Sequence, residues 1–259
     1  MYGLCWKSMR SLGLTSMLVA AFAAPLTVSA STDVPAAPQS AASVPSDADL
    51  AATKCAIGEE RIVPGDYYYC IAEQTYGEQR YEYAQKFFTT AASWASKPAQ
   101  YVLGVMALAG DHQPVNRPLG LAWLTLAAER PQSTFESAYK AAYAKAAAAD
   151  RKAAEQLLTT MRPIYGDAKA APRAEERYAQ GMAQLRRVES MGGNYCMEGV
   201  STSAQSSMAP DPSQCPPIQV VVSAVDKAAA NVFDGWRGHV TVGPLQQVAA
   251  PTNAAPGTH

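Results

Sequence analysis

Between residues 66 and 190 apolar side chains recur every three or four positions, the spacing of one helix face after another. Residues 79–95 place Tyr83, Phe87, Phe88, Ala91 and Trp94 along one such face. Upstream, Asp66 follows Pro64-Gly65 and precedes YYYCIAEQTY, which predicts an N-cap and a helix. Gly110, Pro114 and Pro118 break the pattern between two further helices, expected near 98–109 and 118–129. An alanine-rich pair follows at 135–148 and 150–162, divided around Asp150. A long helix over roughly 171–190 ends at Gly192-Gly193, where glycine supplies the left-handed stop. The predicted class is all-α.

The pattern changes after 190. Ile218-Gln219-Val220-Val221-Val222 and His239-Val240-Thr241-Val242 are β-branched, which allows a hairpin with Asp234-Gly235 as turn chemistry. A helix through 222–233 fits the same residues, and both readings stay open. Segment 191–247 is therefore expected to be small and irregular, with Trp236 and Arg237 either packed on the last helix or facing a partner. Three stretches lack the large apolar side chains that would offset the entropy of ordering: a tether at 31–53, an exposed loop at 199–217 and a disordered tail at 248–259.

The N-terminus reads as an address. Lys7 and Arg10 precede an apolar run from Leu12 to about Pro25, and Val28-Ser29-Ala30 supplies small residues at −3 and −1. That is a secretory signal peptide over 1–30, cleaved after Ala30. Cleavage removes two cations and no acid, so the formal net charge moves from −1 to −3. A net negative chain is a poor candidate for nucleic acid, whose binding rests on positive charge. No second apolar run reaches the roughly 18 residues of a membrane span, so none is expected to remain after cleavage. Export in turn gives the remaining cysteines, Cys55, Cys70, Cys196 and Cys215, an oxidising setting. Four cysteines allow three connectivities, and the local pairs Cys55–Cys70 and Cys196–Cys215 are preferred because each closes a short loop. The expected location is periplasmic or secreted.

The helices also repeat. Phe87-Phe88-Thr89-Thr90-Ala91-Ala92 aligns with Trp123-Leu124-Thr125-Leu126-Ala127-Ala128 at a shift of 36 residues, a period of stacked helix–turn–helix units. Ala99-Gln100-Tyr101-Val102-Leu103-Gly104-Val105-Met106, then Ala109-Gly110, Gly120-Leu121-Ala122-Trp123-Leu124 and Ala127-Ala128-Glu129, resemble a Sel1-like repeat, a relative of the tetratricopeptide repeat. The loop Gly110-Asp111-His112-Gln113-Pro114-Val115 departs from the family by lacking its second glycine. The resemblance implies a short right-handed α-solenoid of about three repeats over 54–190. It also implies a groove lined by the first helix of each repeat. In that alignment Tyr69, Tyr101 and Tyr139 are equivalent. Glu73, Val105 and Tyr143 lie one turn on, and Tyr76 and Leu108 one turn further.

Catalytic signatures are scarce. GxSxG, HExxH, GxxxxGK[ST] and GxGxxG are absent from the sequence, and His112, His239 and His259 are far apart. No cofactor or metal is implied. The expectation is a non-catalytic adaptor of the cell envelope that holds a protein or peptide partner in the repeat groove. The alternative carried by the resemblance is a protein that binds cell-wall fragments or β-lactams with weak or no hydrolysis.

Overall fold

The computed structural model describes residues 44–197, 199 and 215–236. The signal peptide at 1–30, most of the tether and of the 199–217 loop, Arg237, the second β-branched run at 239–242 and the 248–259 tail lie outside them. Among the described residues every regular element is helical: α1 Asp47–Ala51, a 3-10 turn Glu59–Arg61, α2 Pro64–Gly77, α3 Tyr81–Ser93, α4 Lys97–Ala109, α5 Arg117–Ala127, α6 Glu136–Lys145, α7 Ala148–Tyr165, α8 Asp167–Ser190 and α9 Ile218–Phe233.

Local chemistry sets the boundaries. Proline opens α2, α4 and α5, where a missing N–H is harmless and a fixed φ is already helical. Asp66 thus falls inside the first turn of α2, with Val63 as the N-cap residue. Asn116 caps α5 by accepting from the Leu119 N–H at 3.1 Å. Gly110, at φ +71°, ends α4 in the left-handed region. The tether reading fails over 47–51. Ser46 and Asp49 form a capping box for α1. The helix then rests on α2 at Gly77, where a Cβ would meet the Asp47 carbonyl at 2.5 Å.

Helices α2 and α3 pair, α4 and α5 pair, and α3 packs on α4. Helices α6 and α7 each dock on α5, α7 continues to α8, α8 packs on α9, and α9 returns to α2. Two cores result. Phe88, Leu103, Leu121, Trp123 and Leu158 anchor the one inside the helical pairs. Ile62, Leu185, Val221, Val225 and Phe233 anchor the one beneath α8 and α9.

The open choice at 218–243 resolves to helix for Ile218–Phe233, so that part of the C-terminal segment is regular and not irregular. Ile218, Val221, Val225, Ala228, Ala229 and Val232 are buried at helical spacing. Burial of that stripe against α8 outweighs the weak strand preference of valine. Trp236 packs against the same core. The cysteines pair locally: Cys55 and Cys70 have Cα atoms 5.7 Å apart, and Cys196 and Cys215 4.8 Å apart. The first pair ties the entry segment to α2, and the second ties the exit from α8 to the start of α9.

Helices α4 and α5 touch through two glycines. A Cβ on Gly104 would lie 2.8 Å from Leu124 Cγ, and one on Gly120 2.6 Å from Leu108 Cγ and 2.9 Å from the Gly104 carbonyl oxygen. Backbone on the far side leaves Gly120 little room to relax. Gly120→Ala should lower the unfolding free energy by about 1–3 kcal/mol, as overpacking does. Urea denaturation of the oxidised chain measures this.

Candidate functional site

Two cations are buried where α4, α5, α8 and α9 come together. Lys97 is 4% exposed and Arg130 6% exposed, an arrangement that is tolerable only if every charge is matched. Asp167 matches both. Its carboxylate receives Arg130 Nε at 2.9 Å and Nη2 at 3.1 Å, and it sits 3.1 Å from Lys97 Nζ. The rest of the Arg130 fork donates to backbone carbonyls: Nη1 to Val232 at 2.6 Å and Asp234 at 2.8 Å, and Nη2 to Ala95 at 3.2 Å. All five guanidinium N–H groups are thereby used. Lys97 Nζ donates to the Leu126 carbonyl at 2.7 Å, Glu129 Oε2 at 3.0 Å and Gln100 Oε1 at 3.1 Å. Burial pulls the Lys97 ammonium below its ordinary value, and the Asp167 and Glu129 charges push back. Glu129 also accepts the Asp167 N–H at 2.9 Å, and Gln100 donates to the Tyr165 carbonyl at 2.8 Å.

This knot walls one side of a cleft of about 590 Å³. Its apolar surfaces include Tyr69 from α2, Pro98 from α4 and Phe135 at the entry to α6. The loop 131–134 forms a lip, closed by Ser133, whose hydroxyl donates to the Ala127 carbonyl and accepts from the Phe135 N–H, both at 3.2 Å. Asp66 and Asn231 also line it. Two non-glycine residues here have left-handed backbone: Ala95 at φ +66°, whose carbonyl serves Arg130, and Gln132 at φ +58° on the lip. Such positions are held only where the surroundings over-determine them.

Asp66 is part of an acidic pair. It lies within hydrogen-bonding reach of Glu59, which is 8% exposed and whose Oε1 has no hydrogen-bond partner among the described residues. Burial, then the Asp66 charge, pushes Glu59 up to about 8, and burial raises Asp66 as well. Asn231 donates to Asp66 Oδ1 at 3.4 Å, which ties α9 to the pair.

The groove residues expected from the repeat alignment divide among several places. Tyr69 reaches the cleft, and its hydroxyl bonds to Glu73. Tyr101 is half-buried and stacks on Phe135 at 4.9 Å between ring centroids, so it supports the cleft from behind. Tyr76 donates to Asp111 Oδ2 at 2.8 Å and meets Tyr81 and His112 edge to face. Leu108 covers Gly120, while Val105 is exposed. Tyr139 and Tyr143 meet at 5.6 Å on α6, and Arg151 lies over the Tyr143 ring. Sequence reasoning missed Ser96, Lys97, Arg130, Gln132 and Asn231. The available signal was two lone cations, Lys97 and Arg130, beside apolar runs and each followed by proline.

No family model, curated protein or solved structure matches the chain.

Two outcomes test this geometry. Arg130→Met leaves Asp167 without its fork and frees three carbonyls, so stability should fall by about 3–5 kcal/mol, the usual loss for half of a buried pair. Glu59 has a raised native value, so its protonated form stabilises fully below its ordinary 4.5, and that contribution is lost as pH rises through about 8. Urea denaturation at pH 5, 7 and 9 should therefore show stability declining with pH in the parent chain and declining less in Glu59→Gln.

Proposed function

We propose that the chain is a non-catalytic adaptor of the cell envelope that docks a peptide segment of a partner protein in the cleft between α2, α4, the 131–135 lip and α9. One observation carries this reading. The cleft combines aromatic faces, Tyr69 and Phe135, with a lip of backbone and short polar side chains, and its cations are already consumed by internal partners. Aromatic rings supply large contact area at little entropic loss, and backbone groups on a lip pair with an extended chain. The volume suits a few residues of a peptide. The paired cysteines fit an oxidising compartment, and the signal-like N-terminus supports export. The resemblance to Sel1-like repeats supports the same class, although the docking residues differ from the aligned stripe.

A photo-crosslinking residue at Gln132 should trap one envelope protein that the same residue at Val115, an exposed position on the α4–α5 loop, does not. Phe135→Ala should reduce that capture by about tenfold, as expected for an interface aromatic, while the melting temperature stays within a few degrees. Equal trapping at both positions, or full capture by a folded Phe135→Ala chain, would remove the docking reading.

A further inference from the structure

We propose that the cleft receives the carboxy-terminal carboxylate of a peptide chain at the amino end of α4. This rests on the docking reading and narrows the partner to a free chain end. The observation is Ser96. It is the N-cap residue of a 13-residue helix, it borders the cleft, and it is 2% exposed. An N-cap serine ordinarily turns its hydroxyl onto the N–H two or three residues on. Here the hydroxyl makes no such bond and has no other partner among the described residues, while the Ser96 N–H donates to the Ala91 carbonyl at 3.2 Å. The first turn is open too. Pro98 has no N–H, and the N–H groups of Lys97 and Ala99 have no acceptor among the described residues. A buried hydroxyl and unpaired first-turn N–H groups at the positive end of a helix dipole are a receptor for an anion. The side chains of Lys97 and Arg130 cannot serve, because their donors are committed to the knot.

The rest of the lining selects the kind of anion. Asp66 lines the same cleft, where Asn231 already donates to its Oδ1 at 3.4 Å. A simple inorganic anion makes no use of the aromatic faces of Tyr69 and Phe135. An internal peptide segment has no anionic end. The last residue of a peptide has both a carboxylate for Ser96 and α4 and a side chain for the aromatic faces. Tyr69 and Phe135 then flank its side chain.

The test is amide chemical-shift titration of the full oxidised chain with three probes: N-acetyl-trialanine as the free acid, the same peptide as its C-terminal amide, and inorganic phosphate. The free acid should shift the Lys97 and Ala99 amides and bind about tenfold or more tightly than the amide, the size expected when a charge-assisted hydrogen bond is lost. Phosphate should leave both signals in place. Ser96→Ala should weaken the acid about fivefold or more with an unchanged melting temperature. Ser96→Asp should abolish acid binding while retaining the fold, because its own carboxylate fills the helix end. Equal binding of acid and amide, or phosphate shifting the same amides as strongly as the acid, would overturn the carboxylate assignment. If Phe135→Ala still loses its captured partner in that case, docking stands and only the chain-end assignment falls. No shift by any probe, together with no specific capture at Gln132, would end both.

Discussion

The buried pairing of Arg130 with Asp167 is the constraint on which the other elements depend. An ion pair out of water is stable only when its remaining donors and acceptors are also met. That requirement is geometric. The carbonyl of Ala95 must face inward after α3, Val232 and Asp234 must present theirs at the end of α9, and Asp167 must open α8 within reach. Lys97 and Glu129 extend the same requirement to the starts and ends of α4 and α5. The apolar cores let these helices approach at many small offsets. The polar knot admits one, and so fixes the spacing of the cleft walls.

What could be read in advance follows from the range of the physics. Helix faces show in the chain because apolar spacing is local, and so do stops such as Gly110. The local cysteine pairing was legible for the same reason. Helix α9 was half-legible, since valine favours either state and only the core beneath α8 decides. The cleft was illegible. Arg130 and Val232 are 102 positions apart, and nothing near Arg130 in the chain announces a carbonyl supplied from α9. The tyrosine stripe follows from a repeat alignment that treats three helical pairs as equivalent, whereas Tyr139 and Tyr143 meet each other on α6 and Tyr69 borders the cleft.

Rigidity and an open polar surface meet at the start of α4. The left-handed backbone at Ala95 precedes Ser96, whose hydroxyl is left without a capping role. A helix start optimised only for stability would close this end with its own side chain. Leaving it open beside a cleft forgoes some stability and leaves a preformed polar surface on the cleft lining.

The position of α9 in the chain sets an order of events. A polypeptide made from its amino end completes α2 through α8 before Ile218–Phe233 exists. Until then the Arg130 fork lacks the carbonyls of Val232 and Asp234, and the wall bearing Asn231 is absent. The cleft is therefore complete only when the final helix closes on the arginine.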